Sequence, residues 1–133
     1  MIGAVVDTHA LIWYLAGDRR LSEPALQFIS HVITNGNQIA VSAISLIEIM
    51  YLAEKGRLAA DWPQKVLALV EKRRTPFRKV AVDLNTVRAM VALADSGIAE
   101  MPDRIIAATS VNLGVPLVTR DHIIAASTVH TVW

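Results

Sequence analysis

The chain has 133 residues, the length of one domain, and its 53% hydrophobic content excludes a disordered polymer. It has no cysteine, which excludes disulfide frameworks, thiolate zinc sites, iron–sulfur clusters and cysteine nucleophiles. Thirteen basic and twelve acidic residues leave a net charge of +1, which excludes a polybasic nucleic-acid coat but not a local basic patch.

Ile2 to Val6 is a short apolar run that predicts a buried strand ended by Asp7, with a helix from Thr8 to Ala16 stopped at Gly17. Pro24 to Ile33 predicts a second helix, Gln38 to Val41 a strand, and Ser42 to Lys55 a helix stopped by Gly56. A helix from Trp62 to Arg73 is followed by a predicted strand over Val80, Ala81 and Val82. Asn85 is then expected to cap a helix from Thr86 to Asp95. Pro102 opens a helix through Asn112, ended by Gly114. Val115 to Thr119 and Val129 to Trp133 complete the strands.

Short apolar strands alternating with amphipathic helices predict an α/β fold, a parallel sheet covered on both faces. No linker, repeat or low-complexity segment divides the chain, so a single domain over 1–133 is expected. The apolar excess predicts a dimer or a partner surface. No run of about 18 apolar residues is present, so no membrane span is expected. The N-terminus, with Asp7 inside its apolar stretch, does not read as a signal peptide, and a cytoplasmic location is expected.

Four acids stand where such a sheet gathers ligands, beyond the carboxyl ends of its strands. Asp7 follows the first strand, Asp121 lies just past the fourth, Asp103 is in the first turn of the Pro102 helix, and Glu48 is mid-helix. Clustered carboxylates repel one another, and a hard divalent cation such as Mg²⁺ or Mn²⁺ removes that cost. Such an ion activates water and offsets charge on a phosphoryl oxygen, so metal-assisted phosphodiester hydrolysis is the expected chemistry. Each acid also has an ordinary structural use. Asp7 and Asp121 suit helix caps, Asp103 suits a helix dipole, and Glu48 suits an ion pair with an arginine.

The strings Val6-Asp7-Thr8-His9-Ala10-Leu11-Ile12-Trp13, Ser42-Ala-Ile-Ser-Leu-Ile-Glu48-Ile, Asp103-Arg104-Ile-Ile-Ala107-Ala-Thr109 and Leu117-Val-Thr-Arg-Asp121 resemble the PIN-domain nucleases, in particular the VapC-type toxin ribonucleases. The resemblance spans nearly the whole chain, in order. It implies a three-layer α/β/α fold with a central parallel sheet of four to five strands. It also implies an acidic Mg²⁺ or Mn²⁺ site, an RNA substrate, a homodimer and an inhibiting antitoxin protein. Carried over, Asp7 and Asp103 are the main metal ligands, with Glu48 and Asp121 acting directly or through water. Thr119 matches a polar residue supporting the last acid, with a plain β-branched strand residue as the alternative.

Arg104 and Arg120 adjoin the acids, suited either to contact phosphate or to neutralise the site. Lys72, Arg73, Arg74, Arg78 and Lys79 suit either phosphate-backbone contact or a solvated, cation-decorated helix end. The four histidines form no metal-spaced pair and read as surface or packing residues. Three rival readings are a housekeeping PIN nuclease in RNA processing, a receiver-like signalling module and a non-catalytic interaction domain. Receivers need paired acids after the first strand and a lysine after the last, and this chain has neither.

Overall fold

The computed structural model describes residues 1–133. Twelve elements follow in order: β1 (Ile2–Val6), α1 (Thr8–Ala16), α2 (Glu23–Thr34), β2 (Gln38–Ser42), α3 (Ala43–Glu54), α4 (Trp62–Glu71), β3 (Phe77–Val80), α5 (Leu84–Ala92), α6 (Met101–Leu113), β4 (Leu117–Val118), α7 (His122–Ala125) and β5 (Thr131–Val132). The five strands form one sheet in the order β3-β2-β1-β4-β5, every pair parallel. The α/β expectation is met, with a core on each face of the sheet.

Side chains alternate across a strand, so consecutive residues feed different cores. Ala4, Val6, Ile39, Val41, Phe77 and Val118 pack with α1, α2 and α4. Val5, Ala40 and Leu117 pack on the other face against Ile105, Ile106, Ala107 and Ala108 of α6 and Ile124 of α7. Helix α3 belongs to both layers, placing Ile44 in the second core and Ile49 in the first. It touches α1 on one side and α6 on the other. That position brings a mid-helix residue of α3 between the starts of α1 and α6.

The third strand lies earlier than the apolar pattern predicts. It runs over Phe77–Val80 rather than 80–82, pairing Ile39 with Phe77 and Ser42 with Val80. Its Arg78 and Lys79 are exposed. Charged residues are usual on an edge strand, where they discourage pairing with another chain, and here they disguise the strand as a loop. The helix after it is capped by Asp83, not Asn85, through a capping box with Thr86. The short α7 was not expected from the pattern, being too brief for a helical period to show. No helix is long and apolar enough to cross a membrane.

Strand order reverses between β1 and β4, since β2 and β3 lie on one side of β1 and β4 and β5 on the other. In open α/β sheets the crevice beyond the carboxyl ends at such a switch point is where ligands bind. Asp7 follows β1 and Thr119 follows β4 at that crevice.

Candidate active site

The Asp7 carboxyl is divided between two tasks. Its Oδ1 accepts the Ala10 backbone N–H at 2.8 Å, capping α1, and its Oδ2 accepts the Thr119 hydroxyl at 2.5 Å. The backbone N–H of Asp7 reaches the Val118 carbonyl at 3.1 Å, so the carboxylate is aimed by the β1–β4 ladder itself. Burial pushes its pKa above the ordinary value. The hydrogen bonds from Thr119 and Ala10 and the charge of His9 oppose that rise, while the charge of Asp121 adds to it.

Thr119 links two of the acids. While its hydroxyl donates to Asp7, its oxygen accepts the Asp121 N–H at 3.1 Å. Asp121 in turn caps α7, with Oδ1 accepting the Ile124 N–H at 2.9 Å and Oδ2 left free. The structural uses weighed for Asp7 and Asp121 are therefore real, and both residues line the cavity as well.

Asp103 stands in the first turn of α6 with no side-chain hydrogen bond of its own. Its carboxyl is pushed up to about 6, first by burial and then by the charges of Asp121, Glu48, Asp7 and Glu100. Asp103 thus feels the other three predicted acids, which the fold gathers from positions far apart in sequence.

Glu48 does not line the cavity that holds the other three acids, and its Oε1 accepts the Thr8 hydroxyl at 2.5 Å. The Thr8 and Ser45 hydroxyls share a 3.0 Å hydrogen bond. Thr8 has one proton and a carboxylate only accepts, so Thr8 serves Glu48 and Ser45 serves Thr8. The arginine partner considered for Glu48 is absent; the protein's two ion pairs are Arg20–Asp18 and Lys65–Asp61.

Asp7, Asp103 and Asp121 share an open cavity of about 910 Å³ with His9, Trp13, Arg20, Arg120, His122 and Ile123. No group of three Asp, Glu or His side chains is drawn close enough to hold a metal ion as it stands. The donor chemistry nonetheless fits a hard cation. Every acid offers oxygen, Asp121 and Asp103 keep unbonded oxygens, and their mutual repulsion is what a divalent ion relieves.

Other predicted residues lie elsewhere. Arg104 donates from Nε to the Ile98 carbonyl at 2.9 Å, tying down the loop that precedes α6 rather than lining the cavity. Arg73, Arg78 and Lys79 border a separate cleft of about 270 Å³ with Gln38 and Thr75, and Arg74 is exposed nearby. Gln38 begins β2, so this basic cleft lies toward the opposite end of the sheet from the acids. Sequence reasoning missed Arg20, Trp13 and the histidines as cavity walls. His9 and His122 adjoin acids in sequence, a signal that was present; Arg20 carried none.

A family model described as PIN domain matches residues 4–127. Ribonuclease VapC22 of Mycobacterium tuberculosis (strain ATCC 25618 / H37Rv) is 34% identical over 121 residues, spanning 91% of this chain and 88% of that protein. A toxin-antitoxin complex from Klebsiella pneumoniae contains a chain 25% identical, with a TM-score of 0.61 over 90% of this chain and 87% of that one. VapBC2 from Rickettsia felis, bound to a promoter DNA fragment, matches in fold with a TM-score of 0.68 at 17% identity, over 98% and 97% of the two chains. With the acids gathered at the switch point of a parallel sheet and a family match over nearly its whole length, the chain belongs to the PIN-domain family.

Proposed function

We propose that the protein is a Mg²⁺- or Mn²⁺-dependent endoribonuclease, the toxin of a toxin–antitoxin pair, with residues 1–133 acting as one catalytic domain. The observation that carries this reading is the convergence of Asp7, Asp103 and Asp121 on one cavity in a chain 34% identical to a ribonuclease. The toxin role is supported by the likeness to a chain from a toxin-antitoxin complex. An antitoxin protein is the expected inhibitor, a homodimer the expected assembly, and the cytoplasm, where RNA is available, the expected location.

Asp7 and Asp103 would hold the cation, with Glu48 and Asp121 beside them. When bound, a divalent ion supplies an activated water and stabilises charge on the phosphoryl and leaving oxygens. The protein's own part is positioning. Thr119 and the α1 backbone fix the two Asp7 oxygens, and Thr8 fixes one Glu48 oxygen while leaving the other free. Thr119 also keeps Asp7 more acidic than burial alone would leave it. The basic cleft of Arg73, Arg78 and Lys79, with Arg74 nearby, suits electrostatic contact with RNA backbone remote from the cut.

The test is cleavage of total bacterial RNA by antitoxin-free protein with Mg²⁺, with chelator, and with Asp7→Asn. Discrete cuts bearing 5′-phosphate ends, lost with chelator and with the substitution, are expected. Cutting that survives both conditions would sink the reading.

A further inference from the structure

The cavity is lined by two chemically different sets of side chains, the carboxylates of Asp7, Asp103 and Asp121 and the guanidinium groups of Arg20 and Arg120. The guanidinium of Arg20 lies 5.1 Å from the centroid of the Trp13 ring, and that of Arg120 lies 4.8 Å from it. Two arginines from different loops, α1–α2 and β4–α7, thus rest on one indole. A guanidinium within about 6 Å of an aromatic face is attracted to it, and stacking leaves its edge donors pointing outward.

The two are held differently. Arg20 is clamped by Asp18, with Nε 3.2 Å from Oδ1 and Nη2 2.8 Å from Oδ2. Gly17 makes that clamp possible. Its left-handed φ of 64° turns the chain sharply out of α1, and the Asp18 N–H then closes on the Trp13 carbonyl at 2.9 Å. Arg120 has no ion-pair partner, although it shares a cavity with three carboxylates and lies between Thr119 and Asp121 in sequence. An arginine serving to neutralise those acids would be paired with one of them. This charge is held beside the acids without being used by them.

Resting on the endoribonuclease reading, we propose that Arg20 and Arg120, mounted on Trp13, bind a backbone phosphate of the RNA next to the one that is cut. Phosphate is the favoured group over a base, because the Trp13 ring is 5% exposed and offers no free face for stacking. The acids repel a polyanion, and a cation site beside them offsets that repulsion. Arg20 and Arg120 are the two arginines that line the cavity. They contact substrate away from the reacting atoms, so they hold it equally in ground and transition states, and their loss raises KM more than it lowers kcat.

The test uses the whole protein and a fluorescent, mixed-sequence single-stranded RNA oligonucleotide. Affinity is measured in chelator between about 50 and 200 mM salt, where phosphate contacts dominate. Arg120→Ala and Arg20→Ala are each expected to weaken binding about tenfold, as loss of one charged hydrogen-bonding contact would. The double variant is expected to flatten the log–log salt slope by about 0.7 for the phosphate lost. Arg120→Lys keeps the charge but loses the planar stack, and is expected to fall between Arg120→Ala and wild type. Lys55→Ala, on the exposed end of α3, is the control. In cleavage of total RNA with Mg²⁺, the arginine variants are expected to need more substrate for half-maximal rate. Unchanged affinity, slope and KM in variants that still cut RNA would overturn this proposal alone. Absence of both RNA binding and cutting in the wild type would overturn it together with the endoribonuclease reading. If the variants lost binding to polyglutamate and kept RNA binding, the pair would belong to an acidic protein partner, and the proposal would fall.

Discussion

Thr119 and Asp7 lie 112 residues apart in sequence and 2.5 Å apart in the fold, hydroxyl to carboxylate. They meet because β1 and β4 are neighbours in the sheet and end at the same level, Val6 opposite Val118. The bond also bears on charge, since it opposes the rise in the Asp7 pKa that burial causes.

Thr119→Val tests that bond at constant shape. Asp7 is expected to titrate at higher pH than in the wild type, because a group favouring its anion is gone. Stability is expected to drop by about 1–2 kcal/mol, since the part-buried Asp121 N–H also loses its acceptor. Carboxyl NMR titration and denaturant unfolding of the metal-free protein read the two effects, and Thr119→Ser should restore both.

Asp103 predicts a pH dependence of stability. Its carboxyl is pushed from 3.8 up to about 6 in the fold. A raised carboxyl pKa means the folded protein favours the protonated form. Its contribution to stability is therefore fully present below the unfolded value and lost as pH rises through about 6. Metal-free Asp103→Asn should melt higher than wild type at pH 7, with the difference vanishing below about pH 4. Mg²⁺ should raise the Tm of the wild type and not of the variant, and RNA cleavage by the variant should be lost. A variant that melts lower than wild type at pH 7 would contradict the charge-repulsion account.

Thr8 fixes Glu48, so it should act as a positioning residue. Thr8→Val removes the hydroxyl shared by Ser45 and Glu48 at a buried site. A cost of about 1–3 kcal/mol is expected, because Ser45 is then left unpaired. Cleavage should slow by about tenfold at saturating substrate, the size expected from about 1.4 kcal/mol of misplacement. Thr8→Ser should recover the rate; failure to do so would remove Thr8 from the site.

Gly3 is constrained by space. A Cβ there would sit 2.8 Å from Val32 Cγ1 of α2, a buried, short and stiff side chain. Gly3→Ala should destabilise the fold by about 1–3 kcal/mol, the usual range for overpacking, as read by thermal unfolding. Gly3→Ala/Val32→Ala should recover part of that loss by opening the contact.

The sequence by itself determined most of the architecture. Ile2–Val6 and the Ile39–Val41 centre of the second strand are apolar without interruption, because helices cover both faces of the sheet. The helix boundaries at Gly17 and Gly114 were legible because both glycines sit at φ near 65°, a conformation other residues rarely adopt. Three of the acids stood out by position, Asp7 and Asp121 after strands and Asp103 at a helix start, and Glu48 by being a mid-helix carboxylate. Where the pattern failed, as at Phe77–Val80, the cause was an edge strand whose charged residues face solvent. Only the tertiary structure decided what the acids share. Adjacency of β1 and β4 put Thr119 on Asp7, and α3 lying across both layers put the Glu48 charge within reach of Asp103. The same packing placed Arg20 and Arg120 on one tryptophan while leaving Arg73, Arg78 and Lys79 in another cleft. Local periodicity reports which way each side chain faces along its own element. Which elements stand side by side is decided by burial of both sheet faces at once, a property of the whole chain that no single window of sequence contains.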